Sequence, residues 1–203
     1  MNKKTTNGME LHQIKSLVKK KITGLSSYNL NPKDCDAEAC IMRLVNISDL
    51  SEGVVDHTTI KEMSVRATKK TEENRIRTGD VLVTLRGTAL RAALVDEKSS
   101  GAVISSNIVA LRFTEDILPD VVVAWFNSLR GQQALNALSG GSTIQGMKIS
   151  EMMEIRIPVP PLEIQRDIVE FYATVQERRL LLKREEKLLN SVERIYLQNK
   201  MEI

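Results

Sequence analysis

Ile157-Pro158-Val159-Pro160-Pro161 is the stretch that most limits what this chain can become. Proline fixes φ near −65° and removes a backbone donor, so residues 157 to 161 must be extended. No proline or glycine follows Pro161, and Leu162 to Asn199 is built from strong helix formers. Pro161 suits the first helical turn, where a missing N–H is no loss. The pattern predicts a compact part over residues 1–160 and a single long helix over 161–203. At about 1.5 Å per residue that helix would reach roughly 55 Å.

The helix carries a seam. Ile164, Ile168, Phe171, Val175, Arg178, Leu182, Glu185, Leu189, Val192 and Tyr196 alternate in steps of four and three, and only Arg178 and Glu185 are not apolar. Leu181, Leu188 and Ile195 widen the stripe, while acids and bases balance from Glu163 to Arg194. A rod of this length cannot bury its stripe against one small domain, so a partner helix is expected along Ile164, Ile168, Phe171, Val175, Leu182, Leu189, Val192 and Tyr196. The alternative is a helix folded back along its own domain.

Ahead of the helix the pattern is mixed α+β. Glu10 to Lys21 reads as a short amphipathic helix or an entry strand, and Thr23 to Ala39 as a loop. Ile41–Ile47, Val54–Ile60, Val81–Leu85, Ala89–Val95, Ala102–Ile104, Ile108–Phe113 and Ile155–Val159 read as strands. Pro119 opens a helix over Asp120–Leu138, with Val122, Trp125, Phe126 and Leu129 facing the core and Gly131 interrupting it. The expected fold is a mostly antiparallel sheet with packed helices, followed by a coiled-coil-type helix. Aromatic residues make up only 3% of the chain, so the core must be aliphatic.

Enzyme signatures are missing. There is no G-x-x-x-x-G-K-[ST] phosphate loop and no G-x-G-x-x-G after a strand. His12 and His57 lie near no nucleophile pattern. Asn31-Pro32-Lys33-Asp34 lacks the second proline and the aromatic of a methyltransferase Asn-Pro-Pro-Tyr loop and reads as a turn. Cys35 and Cys40 have the wrong spacing for a structural zinc knuckle and are expected as free thiols. With no apolar run of membrane length and no signal-peptide core, the chain is expected to be cytoplasmic and to have no membrane partner.

The informative charge is local. Net charge is only +3, yet Lys61, Arg66, Lys69, Lys70, Arg75, Arg77, Arg86 and Arg91 face only Glu62, Glu72, Glu73 and Asp80 within residues 61–91. Arg86 and Arg91 flank the hairpin tip Arg86-Gly87-Thr88-Ala89-Leu90-Arg91, and arginine binds phosphate or guanine edges bidentately. A second polar loop offers Ser142, Thr143, Gln145 and Lys148, side chains that hold phosphates or read adenine. The candidate DNA-binding residues are therefore Lys69, Lys70, Arg75, Arg77, Arg86, Thr88, Arg91, Ser142, Thr143, Gln145 and Lys148. Composition alone does not carry that assignment, since no recognition helix, zinc finger or stacking platform accompanies it.

Two runs decide the matter. Leu138 to Ser150 (LSGGSTIQGMKIS), followed by Ile155 to Val169 (IRIPVPPLEIQRDIV), closely resembles the specificity (S) subunits of type I restriction-modification systems. In those, a target recognition domain ends in I-P-x-P-P-L-x-x-Q-x-x-I and enters a long conserved helix. Gly79-Asp80-Val81-Leu82 matches the family's G-D-[IV]-L strand. The resemblance spans roughly residues 10 to 200. It implies a non-catalytic protein that reads one half of a bipartite site in double-stranded DNA. The helix would then be spacer and docking surface for a modification methyltransferase, which carries the S-adenosylmethionine. This chain would need no cofactor or metal of its own, and whether a restriction subunit takes part is left open. A full-length S subunit has two recognition domains and two antiparallel helices, whereas this sequence has one of each. A homodimer through the seam is thus expected, with Arg178 and Glu185 near its middle. The rival expectation is an interaction half-subunit that pairs with a different S chain or occupies the methyltransferase, swapping or blocking specificity.

Overall fold

The computed structural model describes residues 5–6, 9–30, 39–87, 90–138 and 146–201. The proline stretch is extended, as its chemistry requires. Strand β1 (Thr5–Thr6), β2 (Met9–Gln13) and β12 (Arg156–Pro158) form a small antiparallel sheet in that order, with Ile157 opposite His12. Being an edge strand, β12 can accommodate Pro158 without breaking an inner ladder. Glu10 to Lys21 combines both expected forms: β2, one turn of helix α1 (Ile14–Leu17), then β3 (Val18–Thr23). The Ile14 amide donates to the Ile155 carbonyl at 2.9 Å, which ties this entry to the exit strand.

The main sheet has six strands, in the order β3, β11 (Ile108–Phe113), β8 (Val81–Thr84), β9 (Ala92–Leu94), β6 (Val54–Val55), β5 (Leu50–Ser51). All its pairings are antiparallel except β6 with β9. Strands β8 and β11 are buried on both faces, which explains their unbroken apolar runs. Val81, Val83, Val109 and Leu111 face one core, with Val122, Phe126, Leu135, Met152 and Ile157. Leu82, Ile108 and Ala110 face a second, with Ile22, Leu50, Ile76 and Ile104. A third sheet sets β10 (Val103–Ile104) parallel and β7 (Lys61–Arg66) antiparallel to β4 (Ala39–Val45), over Leu25, Met42, Leu44 and Val65. Helix α2 (Lys69–Glu73) follows β7, its first turn capped by the Thr68 hydroxyl, which accepts from the Thr71 amide at 3.1 Å.

Several expectations are corrected. β7 and the short helix α5 (Ile149–Met153) are elements the pattern did not announce, and only two residues of Val54–Ile60 are strand. The Asp120–Leu138 helix is two helices, α3 (Pro119–Asn127) and α4 (Leu129–Leu138). The break falls at Ser128, whose backbone is extended and whose hydroxyl accepts from the Gly131 amide at 3.2 Å. Gly131 instead allows close approach, because a Cβ there would lie 2.0 Å from the Trp125 carbonyl oxygen. Leu129, expected in the core, is 76% exposed at the break.

Helix α6 runs Leu162–Met201. Pro161 stands just before it, its carbonyl accepting from the Gln165 amide at 3.0 Å, so it marks the boundary and is not within the first turn. The first half of the helix is pinned at three points. Gln165, buried, accepts from the Leu118 amide at 2.7 Å and donates to Pro160 at 2.9 Å and Asp116 at 3.1 Å. The Tyr172 hydroxyl accepts from Asn127 Nδ2 at 3.1 Å, and Asn127 also bonds both backbone groups of Ala92 in β9. Then the β5–β6 turn, with Glu52 and Gly53 at positive φ, reaches the helix. Lys183 Nζ lies 2.5 Å from Glu52 and 3.0 Å from Ser51 Oγ, and Arg179 lies 3.7 Å from Glu52. Gly53 suits its φ of 78°, and a Cβ there would also press on the Tyr172 hydroxyl at 2.7 Å. The helix is thus folded back over its first half, with Ile168, Val169 and Tyr172 on the core. Past Lys183 its apolar residues are exposed.

Replacing Gln165 by Leu strands the Leu118 amide and the Asp116 and Pro160 carbonyls, the last of them buried. A destabilisation of about 2–3 kcal/mol is expected, read as a lower urea midpoint at unchanged slope. The hydrogen bond from Lys183 holds the Glu52 carboxyl below its ordinary 4.5. This contact therefore stabilises fully above that value and is lost as pH falls through the depressed one. Amide protection factors around Gln176 to Lys183, taken relative to intrinsic exchange at each pH, should fall in that acid range in the parent chain, and Glu52→Gln should remove that fall.

Candidate nucleic-acid interface

The β8–β9 hairpin builds the first half of the candidate interface. Val83 pairs with Ala92, and beyond them Thr84 and Arg91 exchange bonds: the Arg91 amide donates to Thr84 Oγ1 at 2.8 Å, and the Thr84 amide to the Arg91 carbonyl at 3.0 Å. Past this point Leu85 is held on both sides. Its amide donates to the Asn107 carbonyl at 2.8 Å, and its carbonyl accepts from the Met147 amide at 2.9 Å. Met147 is buried beneath.

That last bond joins two loops that sequence reasoning treated separately. The Arg86 side chain lies across Gly146, where a Cβ would come within 2.7 Å of its Nε and 2.8 Å of its Cγ. Glycine here leaves room for the Arg86 side chain, which a Cβ would displace. Lys148, two residues on, is exposed and lies 3.2 Å from Glu151 in α5. One edge of the globular part therefore presents Arg86 against Gly146, two residues before the exposed Lys148, rooted on a buried strand. Thr88, Ser142, Thr143 and Gln145 lie outside the described residues.

The other candidates disperse. Lys69 and Lys70 are exposed on α2, with Lys69 at 4.0 Å from Glu73. Arg77 is exposed at the turn before β8 and forms no ion pair with a described residue. Arg75 is engaged inside the fold, bonding Glu72 at 2.5 and 2.8 Å and the Gly101 carbonyl at 2.7 Å. The Glu72 hydrogen bond raises the Arg75 pKa. Arg91 turns away from Arg86, donating to the Leu50 carbonyl at 2.9 Å. An aromatic neighbour went unnoticed: Arg66 stacks 4.9 Å from the ring centre of Tyr28, which is largely exposed.

Two motif residues acquire structural roles. Asp80 of the Gly-Asp motif is fully buried and takes both Nε and a terminal nitrogen of Arg112 at 2.8 and 2.9 Å, and the Arg77 amide at 2.8 Å. Gly79 precedes it at φ 85°. Gln165 of the proline signature is the three-bond clasp described above. Neither role is visible in spacing, because both partners lie far along the chain.

No three His, Cys, Asp or Glu side chains converge on a metal-sized site among the described residues. Nor is any described helix long and apolar enough to cross a membrane. The fold is a sheet-based globular module carrying a long helical arm. A family model described as the type I restriction modification DNA specificity domain matches residues 8–194. The chain belongs to that family.

Nothing among curated proteins matches. Among solved structures, the HsdS subunit from Thermoanaerobacter tengcongensis superposes with a TM-score of 0.64 at 18% identity, over 97% of this chain and 49% of that one. A structure titled for the complex assembly and conformational transition of the type I R-M system gives 0.62 at 19%, over 98% and 50%. The S subunit of a type I system from M. genitalium gives 0.58 at 18%, over 96% and 46%. The chain spans about half the length of these structures, and the likeness is one of fold.

Arg86→Ala should weaken binding to a cognate duplex by about 1–3 kcal/mol if its guanidinium meets a base. Gly146→Ala, which displaces that side chain, should weaken it similarly, and the double variant should be little worse than either single one. Fluorescence anisotropy with labelled duplex measures all three, and strict additivity would separate the two loops.

Proposed function

We propose that this chain is the DNA-sequence recognition element of a type I restriction-modification system and is not itself catalytic. It reads one half of a bipartite site and directs a modification methyltransferase, which supplies S-adenosylmethionine; a restriction subunit can join the same assembly. The edge at Arg86 and Lys148 faces the DNA, with Lys69, Lys70 and Arg77 adding phosphate contacts.

The observation that carries the dimeric part of this reading is the second half of α6. Leu181, Leu182, Leu188, Leu189, Val192, Ile195 and Tyr196 are all more than half exposed, on a helix that continues well past its last ion pair with the described globular part. Phe171, on the same seam, is 73% exposed, and Val175 is half-buried. An apolar stripe of that length is stabilised by a second helix. Antiparallel pairing of two copies brings Arg178 and Glu185 of each near the middle of the seam. It also supplies the second half of a structure twice this length, with a palindromic bipartite target as the consequence.

Leu182→Glu combined with Leu189→Glu should halve the solution mass by sedimentation, and an unchanged mass would overturn the seam. Genome-wide methylation sequencing, with the gene present and deleted, reads the function. Loss of one palindromic bipartite motif supports the symmetric dimer. Loss of an asymmetric motif means pairing with a different specificity chain, and no change in any motif sinks the recognition reading.

A further inference from the structure

Lys70 and Arg77, remote from Arg86, are not alone at their end of the fold. β3 is an edge strand of the main sheet and carries Lys19, Lys20 and Lys21 in succession. Register places them. Leu111 pairs with Val81 in β8 and with Lys21 in β3, so the next row runs Asp80, Arg112, Lys20 across the sheet. Asp80 takes the Arg112 guanidinium and the Arg77 amide, which ties the turn at Arg77 to this row. On the other side the Lys20 ammonium donates to the Glu73 carbonyl at 2.8 Å, and Asn74 Nδ2 to the Thr23 carbonyl at 3.2 Å. Those two bonds seat the end of α2, with Lys70, against β3. Cations from three parts of the chain thus share one end of the sheet.

Their charge is not answered there. Arg75 holds Glu72, Lys69 lies 4.0 Å from Glu73, and Arg112 holds Asp80. Lys19, Lys20, Lys21, Lys70 and Arg77 have no carboxylate partner among the described residues. All of these but Lys20 are exposed. Even with Glu115 counted, exposed just past β11, the local surplus is larger than the +3 of the whole chain. Lysine on an edge strand does block pairing with another sheet. That need does not draw in Lys70 and Arg77 from two other elements. Alternation also puts Lys21 on the face of β3 opposite Lys20, so cations line the edge on both sides.

We propose that this edge holds the phosphate backbone of duplex DNA without reading its sequence. The proposal rests on the recognition reading only in taking duplex DNA as the partner. Asp80 and Arg86 stand at opposite ends of β8, so the two surfaces are up to roughly 20 Å apart at about 3.3 Å per residue. That span is about six nucleotide steps of 3.4 Å, far shorter than the length over which a duplex bends. One straight duplex therefore reaches both, with Arg86 at a base step and the lysines on phosphates beyond it. Ammonium groups act on phosphates as point charges, and such contacts position a duplex without specifying its bases.

The salt dependence of binding to a labelled duplex of arbitrary sequence tests it, with the full chain and fluorescence anisotropy between 50 and about 200 mM salt. Lys19→Gln, Lys21→Gln, Lys70→Gln and Arg77→Gln should each flatten the slope of log K against log salt by about 0.9, and all four together by about 3.6. A charge-matched set at the exposed Lys61, Arg130, Arg184 and Lys200 should change it little. A fourfold edge variant that keeps the parent slope, or a control set that flattens it equally, overturns the proposal. On a duplex carrying the motif found by methylation sequencing, the edge variant should lose the same factor as on the arbitrary duplex. A changed ratio between the two would make the edge a reader of bases and overturn its indifference to sequence. Failure of Arg86→Ala to change that ratio counts against the recognition edge alone. Polyglutamate binding more tightly than a duplex of equal charge would assign the edge to an acidic polypeptide instead. Absence of binding to any duplex sinks both readings together.

Discussion

The carboxamide of Gln165 is the interaction on which the rest of this architecture leans. It closes the extended proline segment through Pro160, the approach to α3 through Asp116 and Leu118, and the first turn of α6, all at one buried point. The prolines make such a clasp necessary. They remove backbone donors where the strand ends and the helix begins, so side-chain groups must satisfy the carbonyls left behind. A hydrophobic contact would hold the same elements together, but three directional bonds also set the angle at which the helix departs.

The layers beneath follow from composition. With few aromatic rings available, bulk must come from aliphatic side chains packed on both faces of β8 and β11. Alternation then sends neighbouring residues of one strand into different cores. The sheet is stiff for that reason, and it makes a firm base for the loop at Arg86. The Asp80–Arg112 pair, buried at the mouth of β8, anchors the turn that feeds this strand.

Much of the fold was legible in the chain, because its punctuation is strong. Proline and glycine mark the start of α6 within a residue, and β-branched runs mark β8 and β11. The family resemblance reached the same architecture from motifs. What was not legible depends on distance. Gly131 looked like a helix breaker, but the serine three residues earlier has the hydroxyl that caps a new helix, and the glycine is demanded by packing. β7 is polar on one face and carries charged residues, so it read as part of a basic stretch. Arg75 and Arg91 counted as free charge in sequence, while Glu72, Gly101 and Leu50 claim them in space. That Arg86 lies on Gly146, sixty residues away, is beyond any local pattern. The seam was visible, but not which half of it the chain would cover itself.

The β5–β6 turn has a mechanical consequence. Among the described residues it makes the last ion pair and hydrogen bond to α6, and about 27 Å of helix extends beyond Lys183. Over that cantilever, a tilt of about 7° at the support moves the tip by roughly 3.4 Å, the rise of one nucleotide step along a strand. The direction of the free arm is thus set in part by one carboxylate, Glu52. Salt bridges soften as ionic strength rises. The aim of the arm is therefore partly electrostatic, although its length is fixed by the helix itself.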